Sequence, residues 1–303
     1  MIEPTFPDLE DRTGLVSTTG GRAFCVDRGP VRGNRPPVVL LHDWLGSSYD
    51  WRKVHEDLCR GADPAPGDAG SRRVVAMDLV GAGSSDHPEP SVANDYRIPW
   101  QAKRVVDLLD RLGLEQAVVV GHGLGGTVAT HLAAAHPGRV QALALVAPYV
   151  VDPPHAMLSS WLSLPAVGEL AMLTLRRSAV EQFLARGRAS GQVEPRELDV
   201  VWDRLGREGA TQAALSMLRA LGDLRPTREA LRQVQAPTLV LGGERDRVVP
   251  LSHLRDCAAW VGETAPERVL WRHSTLDGCG HSPALERPAA TLAILREFLA
   301  ATA

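Results

Sequence analysis

Hydrophobic positions along this chain gather into short unbroken runs, separated by longer stretches with helical spacing. The clearest run is Val38–Leu41 inside PPVVLLHDW. RRVVAMD (72–78), QAVVVG (116–121), VQALALVAP (140–148), PTLVLGG (237–243) and ERVLWRH (267–273) behave alike. Apolar runs that do not alternate suit strands covered on both faces, as in a parallel sheet. Between them, residues 99–114 place Val105, Leu108, Leu109 and Leu112 on one helical face, with Gly113 to end the helix. Residues 124–139 are Ala-rich and stop at His136-Pro137-Gly138, and further helical stretches at 251–262 and 288–301 follow the later strands. Strand and helix in alternation predict an α/β architecture with right-handed crossovers. Residues 17–31 are expected to form an antiparallel hairpin at the start of the sheet, and GADPAPGDAGS (61–71) a surface loop.

Residues 150–230 break the rhythm. They are strand-poor and helix-like, with Leu158, Trp161, Leu162, Leu173, Phe183, Val201, Trp202, Leu205, Leu215 and Leu218 as their apolar positions. The expectation is a helical cap at 150–230, inserted into a core made of 1–149 and 231–303. A chain of 303 residues suits one large domain carrying such an insertion.

Composition narrows the partners. With 44% hydrophobic and 23% charged residues the chain reads as an ordinary globular protein. A net charge of -3 offers no basic footprint for nucleic acid or an anionic membrane. All but Lys53 and Lys103 of the 33 basic residues are arginine, which reads as coding bias. Cys25, Cys59, Cys257 and Cys279 are far apart and form no C-x-x-C, so neither a zinc site nor a redox motif is expected. The opening residues show no signal-peptide pattern, and no apolar run is long enough to span a bilayer. A cytoplasmic, monomeric or homodimeric protein acting on a small molecule is the expectation, with no metal and no cofactor.

The candidate chemistry centres on VVVGHGLGG, residues 118–126. Gly121, Gly123 and Gly126 match G-x-G-x-x-G between a strand and a helix. That fingerprint belongs in the first βαβ unit, with an acid at the end of the next strand. Here about four strands come first, and the next strand runs into Val146-Ala147-Pro148-Tyr149, with no acid until Asp152. The other reading is a G-x-S-x-G nucleophile turn whose serine is replaced by Gly123. Its supports lie elsewhere in the chain. GGERDRVVP places Asp246 after one strand, and LDGCGHSPALERP places His281 after the next. LLHDWLGSSYDW and DLVGAGSSD occupy the upstream positions.

In this order these segments resemble the α/β-hydrolase superfamily, and the expected cap makes the chain similar to its lidded members: C–C hydrolases, haloperoxidase-like esterases and cofactor-free dioxygenases. The resemblance implies a mostly parallel sheet of about eight strands flanked by helices. It assigns the elbow to Gly123, the acid to Asp246 and the base to His281. LLHDWLGSS matches the loop that supplies an oxyanion-hole amide, so Trp44 and Leu124 are candidate oxyanion-hole residues, with Asp43, His42 and His122 beside them.

Two departures matter. Gly123 has no side chain to attack with, and neither Cys nor Asp stands there, which closes thiolate and alkyl-enzyme routes at that position. Asp43 replaces the glycine usual in that loop, and a carboxylate pointing inward there disfavours an oxyanion. What remains is His281 oriented by Asp246, expected to act as a general base near neutral pH. The reading is an enzyme without the serine, working on a bulky, apolar or polyketide-like molecule from natural-product biosynthesis. Cofactor-independent oxygenation with dioxygen as co-substrate is its most concrete form. Lyase or cyclase chemistry, hydrolysis by a His281-activated water, and a non-catalytic ligand-binding protein are the alternatives. A strong gain of esterase activity on installing serine at 123 is the expected mark of an otherwise intact hydrolase.

Beside each of these stands a plainer role. His42 is expected to brace its loop, and His122 to pack behind the elbow. Asp43 suits a loop-capping hydrogen bond. Asp246 suits a turn or N-cap aspartate paired with Arg245 or Arg247. Trp44, Trp161 and Trp202 are candidate pocket walls or helical core. Cys279 is read as an inert small hydrophobe.

Overall fold

The computed structural model describes residues 12–31, 33, 35–60, 71–151, 161–162, 164–263 and 271–302. The expected loop at 61–71 falls almost entirely outside these residues, as do Leu158 and Asp152. The chain opens with a hairpin of β1 (Gly14–Thr18) and β2 (Gly21–Arg28). Its position differs from the sequence expectation: the turn falls at Thr19-Gly20, so residues 17 and 18 end the first strand rather than begin it. Gly20 adopts φ +94, which side-chain-bearing residues rarely adopt, and this fixes the turn there. The strands β3 (Val38–Leu41), β4 (Val74–Met77), β5 (Ala117–His122), β6 (Val140–Val146), β7 (Thr238–Gly243) and β8 (Trp271–Leu276) complete one eight-stranded sheet in the order β1-β2-β4-β3-β5-β6-β7-β8. Only the β1–β2 and β2–β4 pairings are antiparallel.

The strands lack alternation because both faces are covered. Val39 and Leu41 enter one apolar cluster, with residues of α2 (Ile98–Arg111), α3 (Leu124–Ala135) and α9 (Leu251–Glu263). Val38 and Leu40 enter a second cluster on the opposite face, against α1 (His55–Arg60) and α11 (Pro288–Ala301). β8 reaches further along the chain than ERVLWRH suggested, because Thr275 and Leu276 pair with Gly242 and Gly243. Its end therefore falls close to the loop that delivers His281.

Between β6 and β7 the described residues form helices and no strand: α4 (Val167–Leu173), α5 (Arg177–Gly187), α6 (Pro195–Leu205), α7 (Ala210–Ala220) and α8 (Arg225–Arg232). Val180, Leu198, Val201, Leu205 and Ala214 make a small apolar cluster of their own, with Trp202 packed against it. α8 behaves differently from the helices before it. It packs on α3 and α9, and Leu224 and Leu231 are buried in the main core. Among the described residues no helix is long and apolar enough to cross a membrane.

Candidate active site

The parallel strands deliver their loops to one edge of the sheet, and the site forms where those of β3, β5, β6, β7 and β8 meet. The β5–α3 turn is tight at three glycines. A Cβ on Gly121 would overlap the backbone of Gly125, and one on Gly125 would overlap the carbonyls of Leu41 and His42. Gly125 N–H donates to the His42 carbonyl at 3.0 Å, which locks the turn onto the end of β3. Gly123 sits at the apex with φ +51 and ψ -114, its N–H donating to the Val146 carbonyl. This is the strained strand-to-helix turn that presents a nucleophile in an elbow.

The space above Gly123 is filled. A Cβ built there would coincide with the carboxylate of Asp43, which reaches across from the β3 loop. Asp43 Oδ1 accepts from Leu124 N–H at 2.8 Å. Its Oδ2 lies 3.0 Å from His281 Nε2 and accepts from the Tyr149 hydroxyl at 3.1 Å. The candidate oxyanion-hole amide of Leu124 is thus already bonded to a carboxylate. His42 braces the loop that aims Asp43. Its Nδ1–H donates to the Asp43 carbonyl and its Nε2 accepts from Leu79 N–H. Trp44 turns toward the helices that follow β6, its indole N–H donating to Ala214 O and its ring meeting Phe183 edge-on.

His281 lies between two acids. Its Nδ1 is 2.8 Å from Asp246 Oδ2, and the other oxygen of Asp246 accepts from Val248 and Val249 N–H. The flanking Arg245 and Arg247 are exposed and leave Asp246 to the histidine. Both imidazole nitrogens face carboxylate oxygens, an arrangement that favours two N–H donors. Burial opposes the charge on His281, but Asp246 and Asp43 outweigh it and lift its pKa to about 10. Burial likewise opposes the charge on Asp43, yet its bond to His281 holds the carboxyl well below the usual range. The second carboxylate was not part of the expected dyad, and with carboxylates at both nitrogens the imidazolium form of His281 is favoured over a neutral base near pH 7.

Tyr149 is the residue that sequence reasoning passed over. Its hydroxyl lies 3.1 Å from Asp43 Oδ2 and 3.2 Å from His281 Nε2, and its ring stacks near the imidazole. Burial and the two acids raise its pKa well above 10, so it stays a neutral donor. One signal pointed to it: it follows β6 at the same sheet edge as the other site residues, where α/β folds place their ligands.

His122 packs behind the elbow, as its plainer role anticipated. Its Nε2–H donates to the His281 carbonyl at 2.7 Å, and burial lowers its pKa to about 4. One donor atom each from Asp43, His122 and His281 lie within 4.8 Å of one another. Two histidines and a carboxylate are a metal-binding set by type. Here, however, they are joined as a hydrogen-bonded cluster, and a metal would have to displace the Nε2 proton of His281. Trp161 is 61% exposed, which takes it out of any closed pocket, while Trp202 belongs to the helical cluster. Cys279 is buried and its thiol pushed up to about 12, chiefly by burial, in keeping with an inert role.

The His281 loop is held by Glu286 of α10 (Pro283–Glu286). Its carboxylate accepts from the N–H groups of Ala189, Gly280 and Ser282, and His281 N–H donates to Gly187 O. These bonds tie the loop to the end of α5. Glu286→Ala leaves three amides without their acceptor. The expected cost is about 2–3 kcal/mol in urea unfolding, with a larger fall in any His281-dependent rate than in substrate binding. An unchanged unfolding midpoint would show that solvent replaces the carboxylate freely.

Comparison with known proteins agrees with this geometry at the level of fold. Residues 36–288 match the family model described as alpha/beta hydrolase fold. The chain is 28% identical over 273 residues to a 2-hydroxymuconate semialdehyde hydrolase of Pseudomonas sp. (strain CF600), covering 87% of each chain. It is 27% identical to epoxide hydrolase 3 of Xenopus tropicalis, over 94% of this chain and 76% of that one. Among solved structures, wild-type Cfl2 from Burkholderia cenocepacia superposes with a TM-score of 0.78 at 24% identity, covering 95% of this chain and 96% of the other.

Proposed function

Because the chain belongs to the α/β-hydrolase fold family, we propose that it is a hydrolase of a small molecule whose catalytic unit is Asp43–His281–Asp246, without a serine. The observation that carries this is the Asp43 carboxylate. It stands where the elbow side chain would be and bonds both the elbow amide of Leu124 and His281. The named hydrolases among the relatives support water as the second reactant. Tyr149 and His281 supply protons at the same point, and Asp246 holds the imidazole in place.

Cofactor-free oxygenation and lyase or cyclase chemistry start from a neutral His281 that takes a proton from substrate. The second carboxylate works against that premise, since it favours the doubly protonated imidazole. Hydrolysis needs no dioxygen, so turnover is expected to be the same with and without it.

The test is a panel of esters, lactones, vinylogous diketones and epoxides, with product followed for wild type, His281→Gln and Asp246→Asn. Losing the imidazole is expected to lower kcat by about 10³–10⁴-fold, and Asp246→Asn by a comparable factor, since general acid–base and orienting roles are worth that much. Activity indifferent to both substitutions, or dependent on dioxygen, would defeat the proposal.

A further inference from the structure

We infer that Asp43 is the nucleophile of this site, moved from the elbow to the facing loop, and that the substrate it opens is an epoxide. The inference rests on the hydrolase reading above and names its reacting group and substrate class.

Three observations carry it. First, the carboxylate occupies the elbow position, although residue 123 has no side chain. A nucleophile at this fold's elbow is defined by where its reacting atom sits, and that place can be reached from the β3 loop as well as from β5. Second, its two oxygens are held differently. Oδ2 takes two contacts, from His281 and Tyr149. Among the described residues Oδ1 accepts only from Leu124 N–H, which leaves a lone pair on Oδ1 to attack with. With Oδ1 bonded to substrate, Oδ2 is the carbonyl oxygen of the ester, and the Tyr149 hydroxyl that donates to it faces the charge that develops there when water attacks. The Tyr149 hydroxyl is thus placed as the oxyanion donor for an ester on residue 43. Third, the resting proton inventory selects the electrophile. Both nitrogens of His281 face carboxylates, so it starts with a proton to give. An alkyl halide releases an anion that needs no proton. An epoxide opens to an alkoxide that must take one.

The steps balance. A carboxylate oxygen of Asp43 attacks an epoxide carbon, and the carbon–oxygen bond of the ring breaks. The alkoxide takes the Tyr149 hydroxyl proton, and Tyr149 is reprotonated from His281 Nε2, 3.2 Å away. Asp43 is now a neutral ester and His281 a neutral imidazole held by Asp246. With the Asp43 charge gone, the force that kept His281 protonated is gone too, and it becomes a base when a base is needed. It takes a proton from water as the hydroxide adds to the ester carbonyl. Collapse of that adduct releases the diol, protonated by the acid just formed on Asp43, and restores carboxylate and imidazolium.

The experiment is a single turnover of styrene oxide and of phenyl glycidyl ether in oxygen-18 water, with enzyme in excess. The peptide containing Asp43 is then analysed by mass spectrometry. One labelled oxygen in that peptide is the expected result. His281→Gln is expected to keep a covalent adduct of one substrate mass, and Tyr149→Phe to open the ring about 10²-fold more slowly. Wild-type labelling needs no variant to fold. Label confined to the diol, with turnover still dependent on Asp43, makes Asp43 a base. That overturns this inference and leaves the hydrolase reading standing. So does failure to open either epoxide while another substrate is hydrolysed through Asp43 and His281. Epoxide turnover indifferent to both residues overturns both readings.

Discussion

Gly123→Ser alone yields a less stable protein with no gain of esterase activity, whereas Gly123→Ser combined with Asp43→Gly gains it. The single change forces a Cβ into the Asp43 carboxylate, with φ at +51, a region costly for any side chain. Overpacking a closed site costs about 1–3 kcal/mol. The new hydroxyl would also find the Leu124 amide taken by Asp43 Oδ1. Removing Asp43 frees that amide and vacates the space, and leaves His281 paired with Asp246 alone. Restoring one oxyanion-hole donor is worth about 10²–10³-fold in rate, so the double variant is expected to exceed the single by at least that factor on p-nitrophenyl butyrate. Serine at 123 alone, whose esterase gain would mark an otherwise intact hydrolase, is therefore not expected to suffice. An esterase gain in the single variant would show that Asp43 swings aside, and would overturn the claim that its carboxylate is fixed.

Most of the frame of this protein can be read from the pattern of its apolar runs. Val38–Leu41 and its counterparts are continuous because helices cover both faces of the sheet, and that continuity is a property of each segment alone. The order of elbow, acid and base is equally local, since each follows a strand and leaves by the same edge. The identity of the chemistry is not local. Gly123 reads as a deletion, and only the meeting of the β3 and β5 loops shows that Asp43 fills the gap. Asp43 and its partner His281 are far apart in sequence, and no spacing rule connects them. The place of Tyr149 after β6 is local, but its role is not: that comes from the two groups its hydroxyl reaches. The orientation of Asp43 depends on His42, whose two ring nitrogens hold the loop at the Asp43 carbonyl and Leu79 N–H. That bracing role could be named from sequence, but its consequence could not.

Asp43→Asn is expected to change how stability depends on pH. His281 has a folded pKa of about 10 against about 6.5 when unfolded. A raised pKa of this kind stabilises the fold fully below about 6.5, and the contribution is lost as pH rises toward 10. Asp43 acts in the opposite direction. Its carboxyl is depressed in the folded state, so its contribution is present above 3.8 and lost as pH falls below that. Wild type should therefore be most stable between about pH 4 and 6.5 and lose on the order of a few kcal/mol by pH 10. The amide introduced by the substitution keeps the shape of the carboxylate but not its charge. Burial then opposes protonation of His281 with only Asp246 against it, so the imidazole pKa falls and the alkaline loss becomes smaller. Unfolding midpoints between pH 6 and 10 measure the slope, and an NMR titration of His281 measures its cause. The same variant should lose turnover by about 10³-fold or more if the carboxylate attacks substrate. Equal slopes in the two proteins would mean that Asp246 alone sets the imidazole charge, and that His281 is free to act as the neutral base that the sequence suggested.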